Sequence, residues 1–248
     1  MGKAAIDAYL VCGGKYHDID YARLQVLGAL AEHARIRTRL AEDFRDPDAI
    51  ERSDFLVTYT VDVVPDEPTA RRLHDYVAGG RRWLALHGTN SVLRYVKGRG
   101  WEAPRDAATF METLGSQFVA HPPIEPYRVE VTRPEHPLVA GIDPFDAHDE
   151  LYLMELHAPI EVLLHTHWTG DAKGFVEHDW QRDDPRPVMY LKRIGAGEVL
   201  YLTLGHARGR YDMRPLMDEY SGDERGSWPV PAFRELLRRS LRWAAGLD

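Results

Sequence analysis

Apolar residues in the first half of the chain fall in short continuous runs, separated by stretches with helical period. Residues 4–12 are one such run, closed by Gly13-Gly14. A run this short and this uniformly apolar predicts a strand buried on both faces, then a backbone turn. Asp20 predicts a helix cap, with Leu24, Leu27, Leu30 and Ala31 along the apolar stripe. Residues 35–40 and 54–59 predict two more strands, the latter carrying Phe55-Leu56-Val57. Pro68 opens a helix that stops at Ala78, before Gly79-Gly80. Residues 82–87 predict a fourth strand, and Asp106 caps a helix reaching Leu114. Strands alternating with helices at this spacing imply βαβ units and a parallel sheet.

The pattern changes after residue 120. Residues 127–133 alternate like a half-exposed strand, 134–148 read as a loop, and 150–155, 160–167, 188–193 and 198–204 predict four further strands. Gly195-Ala196-Gly197 predicts a hairpin turn between the last two. Residues 168–187 form a polar insertion, and 231–246 a closing helix. With no repeat and no linker-like tract, a single domain over 1–248 is expected.

Composition narrows the class. A 248-residue chain with 44% hydrophobic residues can build a core without staples. Its one cysteine, Cys12, allows no internal disulfide and reads as an inert buried residue, so a cytoplasmic setting is expected. Asp7 interrupts the N-terminal apolar run, which argues against a signal peptide, and no window suits a membrane span. A net charge of -8 argues against nucleic acid. Arg234, Arg238, Arg239 and Arg242 read as a solvated helix face, and Trp243 beside them offers a homo-oligomer contact.

Ligands of open parallel sheets bind beyond the carboxyl ends of the strands. The predicted strands deliver Gly13, Gly14, Tyr16, His17 and Asp18; Tyr59, Thr60 and Asp62; His87, Gly88, Thr89 and Asn90; Asp149 and Glu150; and His206, Arg208, Arg210, Tyr211 and Asp212. His87 and His206 stand out, because each follows an apolar strand and adjoins a glycine. His165 and His167 share a strand face, read here as a polar face toward solvent or a lid. Asp149 and Glu150 point to opposite faces if both lie in a strand. Trp101, Trp168 and Trp180 fall in polar loops, where each could stack on a sugar ring or anchor a contact between copies of the chain.

Five segments resemble one family in order. They are Val11-Cys12-Gly13-Gly14 with Tyr16-His17-Asp18; Ala85-Leu86-His87-Gly88-Thr89; His136-Pro137-Leu138-Val139-Ala140-Gly141-Ile142; Asp149-Glu150-Leu151-Tyr152; and Gly197-Glu198-Val199-Leu200-Tyr201 with Thr203-Leu204-Gly205-His206. The ordered set is similar to the ThuA-like (trehalose utilisation) family. That resemblance implies a class I glutamine amidotransferase-like fold: a flavodoxin-like parallel sheet with helices on both faces, here with added antiparallel strands in the C-terminal half. It also implies a carbohydrate ligand, a disaccharide or its 3-keto derivative. Amidotransferases carry a nucleophilic cysteine at the sharp turn where this chain has His87, and imidazole cannot replace that thiolate, so amidotransferase activity is not expected.

Three readings follow. In the first, the protein is an enzyme in which His87 and His206 act as general acid and base, Asp149 or Glu150 orients one of them, and His17, Asp18, Thr89, Asn90 and Arg210 bind substrate. In the second, His17, His87 and His206 with a carboxylate hold a divalent ion such as Zn²⁺, ranked lower because no HxxxH-type spacing exists. In the third, the chain is a non-catalytic sugar-binding or interaction module on a degenerate amidotransferase scaffold.

Overall fold

The structure, a computed structural model, describes residues 4–157 and 159–247. The first half alternates strand and helix: β1 (Ile6–Gly14), α1 (Ile19–Ala31), β2 (Ile36–Ala41), α2 (Pro47–Glu51), β3 (Phe55–Val61), α3 (Glu67–Ala78) and β4 (Arg82–Leu86). A small hairpin of β5 (Arg94–Val96) and β6 (Gly100–Glu102) precedes α4 (Ala108–Leu114) and β7 (Ser116–Ala120). Strands then dominate: β8 (Glu125–Val131), β9 (Phe145–Asp149), β10 (Leu153–Leu156), β11 (Glu161–Thr166), β12 (Gly170–Asp171), β13 (Asp179–Trp180), β14 (Arg186–Ile194) and β15 (Gly197–Leu202), before α5 (Pro231–Ala244) closes the chain.

One nine-stranded sheet has the order β2-β1-β3-β4-β15-β14-β11-β8-β9. From β2 to β15 its neighbours run parallel. From β15 to β9 they run antiparallel. The continuous apolar runs are explained by two-sided burial. On β4, Leu84 and Leu86 enter the core shared with α1 and α5, while Trp83 and Ala85 enter the core shared with α3 and α4. No helix among the described residues is long and apolar enough to cross a membrane.

Some elements differ from expectation, each for a local reason. Helix α1 starts two residues early, because Asp18 rather than Asp20 caps it by accepting from the Tyr21 amide. Its buried stripe is therefore Ala22, Val26 and Leu30, and Leu24 is 68% exposed. Asp106 does not cap α4; its carboxylate pairs with Arg94 instead. The expected loop over 134–148 ends in β9, which zips onto β8 from Glu125↔Asp149 to Val129↔Phe145. Glu150 precedes β10 rather than lying in it, and β10 pairs with β7, a strand that no alternating pattern marks.

Candidate functional site

The parallel strands deliver their side chains to one end of the sheet through strained turns. Leaving β1, Gly14 has φ 132°, and a Cβ there would sit 2.1 Å from the Val61 carbonyl oxygen, so only glycine turns the chain toward His17. At the end of β4, His87 has φ 44° and opens a single 3₁₀ turn, His87–Asn90. Among the described residues, three non-glycines have positive φ: Tyr16, Asp62 and His87. All three lie just beyond strand ends, where such strain is typically held for function. His206 follows Gly205 beyond β15, and Glu150 follows β9.

These turns bring four buried side chains together. His17 Nε2 lies 2.9 Å from His87 Nε2 and 3.1 Å from His206 Nδ1. Glu150 Oε2 lies 3.6 Å from His17 Nε2, 3.5 Å from His87 Nε2 and 3.7 Å from His206 Nδ1. All four donor atoms fall within 4.8 Å of one another. Neighbouring donors around an ion with bonds near 2.0–2.2 Å stand about 3.0–3.5 Å apart; the His17 and Glu150 contacts are close to that spacing, and the widest separation, up to 4.8 Å, would have to close on an ion.

The outer ring nitrogens strengthen the point. His17 Nδ1 faces the Lys15 carbonyl at 3.3 Å, His87 Nδ1 faces the Thr203 carbonyl at 2.8 Å, and His206 Nε2 faces Glu224 Oε2 at 2.8 Å. A carbonyl or carboxylate can only accept, so each outer nitrogen carries the hydrogen and each inner nitrogen turns a lone pair inward. The Tyr152 hydroxyl, 3.3 Å from His87 Nε2, supplies one proton to this group. Three inward lone pairs and a carboxylate otherwise oppose one another and call for a cation.

The electrostatics agree. Burial would raise the Glu150 carboxyl, but His121 and His206, with the His17 ring packed beside it, hold it well below the usual carboxylate range. Burial lowers the His17 ring to about 3, and the nearby Glu150 carboxylate does not offset this. Burial would also lower His206, but the Glu150 carboxylate beside it and the hydrogen bond to Glu224 push it up to about 9. The metal-free cluster thus keeps one proton on His206, in the place a divalent ion would take.

Further groups surround the four. His121 Nε2 is 3.3 Å from Glu150 Oε1, and Arg208 Nη2 is 3.6 Å from the same oxygen. Arg208 also binds Glu224 at 3.0 Å. Glu224 is held down to about 2: burial would raise it, and hydrogen bonds from His206 and Tyr220 with the Arg208 charge outweigh that. His121 and Glu224 carried no signal readable in the sequence, and Tyr152 stood out only as the end of the segment Asp149-Glu150-Leu151-Tyr152. His121 follows the unmarked strand β7, and Glu224 sits in a loop without periodicity.

The remaining sequence candidates lie elsewhere. Asp149 points away from the cluster: its carboxylate accepts from the backbone amides of Gly205, His206, Ser227 and Glu150 at 2.8–3.1 Å, pinning the loop that carries His206. Asp18 caps α1 and pairs with Arg225. Thr89 bonds back to Thr58 and Leu86, and Asn90 bonds to Ser116 and Met154. Arg210 pairs with Glu219, both more than half exposed. His165 and His167 lie 5.3 Å apart, bonded to Thr132 and Asp183.

A cavity of about 310 Å³ opens onto the cluster from the His17 and Glu150 side, with His121, Arg208, Phe118 and Trp101 among its walls.

With this geometry in place, comparison with known proteins decides the family. The ThuA family model, described as trehalose utilisation, matches residues 10–218. The chain belongs to the ThuA family. Solved structures agree on the ThuA fold. A ThuA-like protein from Bacteroides uniformis superposes with a TM-score of 0.68 at 17% identity, covering 100% of this chain and 95% of that one. A ThuA-like protein from Parabacteroides merdae gives 0.60 at 18% identity, covering 98% and 91%. A Thermoplasma acidophilum protein described as a component of GMP synthase gives 0.51 at 11% identity, covering 99% and 97%, which ties the ThuA fold to the amidotransferase-like class. No curated protein matches. Family membership points this ThuA protein to carbohydrate metabolism.

Proposed function

We propose that this ThuA-family protein is a metal-dependent enzyme of carbohydrate catabolism, acting on a disaccharide or related glycoside in its free or 3-keto form. One observation carries the reading: three imidazole lone pairs and one carboxylate converge, each outer N–H anchored by an acceptor. His17, His87, His206 and Glu150 hold the ion, and three nitrogens with one oxygen suit Zn²⁺ or a neighbouring first-row ion. As ligands, His87 and His206 are not free to serve as acid and base. When bound, the ion supplies Lewis acidity to a carbonyl or hydroxyl oxygen of the sugar.

The chain's own groups do the rest. His121, a quarter exposed on the pocket wall, is placed to pass a proton to or from a ligand over Glu150. Arg208 balances negative charge at the floor. The Tyr152 hydroxyl, 3.3 Å from His87 Nε2 in the metal-free cluster, would release that nitrogen to the ion and stand beside it. The chemistry this set supports acts on the 3-keto form: His121 would take the proton from the carbon beside the carbonyl, that electron pair would form a carbon–carbon double bond as the bond from the next carbon to the glycosidic oxygen breaks, and the proton would pass to the departing oxygen. Amidotransfer is ruled out of the proposal by the missing thiol: Cys12 lies buried inside β1.

The test is incubation of chelated and Zn²⁺-loaded protein with 3-keto-trehalose in D₂O. Zinc-dependent release of monosaccharide, or deuterium entry beside the carbonyl, is expected. Stoichiometric zinc with neither outcome would leave a binding module and refute the enzyme.

A further inference from the structure

The lining of the cavity falls into two chemical sets. His17, Glu150, His121 and Arg208 form the polar set. The apolar set is Trp101, Leu93, Phe175, Met213 and Leu216, with Lys173 and Ser91 as polar neighbours. Against this apolar set a planar apolar group removes more carbon surface from water than a hydroxyl-rimmed second sugar ring does.

The apolar set is built into the fold. The Trp101 amide donates to the Gly174 carbonyl and the Trp101 carbonyl accepts from Val176, both at 2.8 Å. These bonds stitch the β5–β6 hairpin to the segment that carries Phe175. The close approach needs Gly100, where a Cβ would sit 2.3 Å from the Gly174 oxygen. Tyr16 and Tyr95 pack edge-on against the Trp101 ring, with centroids at 6.0 and 5.4 Å. In the same lining, Leu216 is 47% exposed. That is a large apolar side chain left in water beside a pocket, as expected of a contact completed by a ligand.

We propose that the apolar part of this cavity is a subsite for an aromatic aglycone. The substrate is then a glycoside with its sugar on the polar set and a planar apolar group between Trp101 and Leu216. This rests on the polar set being the sugar site, as argued under Proposed function. The volume of about 310 Å³ suits two rings, one polar and one apolar.

Calorimetric titration of the zinc-loaded protein with methyl α-D-glucopyranoside, phenyl α-D-glucopyranoside and trehalose tests it. Phenyl glucoside is expected to bind about tenfold or more tighter than methyl glucoside, and tighter than trehalose. Trp101→Ala should remove that advantage while leaving methyl glucoside unchanged. Leu216→Asp, at a position too exposed to threaten folding, should reduce it selectively. The subsite is overturned by equal binding of phenyl and methyl glucosides, by trehalose binding tightest, by an advantage that survives both variants, or by no binding of any probe. Zinc content of the same samples separates the two readings. Stoichiometric zinc without a phenyl advantage sinks only the subsite. A phenyl advantage in protein that holds no zinc sinks only the metal-dependent enzyme.

Discussion

Glu150→Gln removes the charge on which the cluster turns while keeping its shape. In the metal-free protein the carboxylate is 4% exposed and faces protonated His206 at 3.7 Å and Arg208 at 3.6 Å. At an effective dielectric near 20, one unit pair at that distance is attractive by roughly 4–5 kcal/mol, an upper bound on the net effect. Breaking one partner of a buried pair costs about 3–5 kcal/mol, softened here because His206 can release its proton and both cations keep Glu224. A loss of about 3 kcal/mol is expected, or roughly 6–12 °C in the melting temperature of a chain this size. Metal binding should suffer more. Losing an outer-shell partner costs about 10–100-fold in metal affinity, so loss of a direct ligand and its charge should exceed about 100-fold. Differential scanning calorimetry of chelated protein reads the first quantity, and zinc titration with a competing chelator reads the second. A variant that holds zinc within about threefold of the parent would show that Glu150 is no ligand and refute the four-donor shell.

Two further outcomes follow from the same geometry. Stability of the metal-free protein should peak near pH 6.5. His206, raised from 6.5 to about 9, contributes stability that is complete below 6.5 and lost as pH rises toward 9; His17, lowered from 6.5 to about 3, contributes stability present above 6.5 and lost as pH falls. Bound zinc displaces the His206 proton, so the alkaline decline should vanish in the loaded protein; melting curves across pH 5–10 with and without chelator check this, and identical profiles would contradict it. Asp149→Asn turns an amide donor toward at least one of four backbone N–H groups and should cost about 3 kcal/mol. Denaturant unfolding measures that cost, and a loss under about 0.5 kcal/mol would mean that Asp149 does not pin the His206 loop.

The sequence by itself determined the parallel half of the fold. Residues such as Phe55-Leu56-Val57 and Trp83-Leu84-Ala85-Leu86 must be buried on both faces, and a continuous apolar run says so without any partner being known. It also placed His17, His87 and His206 at strand ends, because each follows such a run and a glycine flanks or precedes it. It could not say that the three rings meet. His17 and His206 are 189 positions apart, and their contact depends on the order β1-β3-β4-β15, in which the last strand inserts beside the fourth. Tertiary structure likewise decided between adjacent carboxylates. Asp149 ends β9 and turns to backbone amides, whereas Glu150, one residue on, turns into the cluster. Local pattern cannot separate two acids in a row; the register of β9 on β8 does. The metal reading ranked low on spacing because ligands on one helix announce themselves at fixed intervals, whereas ligands from four separate strand ends are brought together only by the strand order of the sheet.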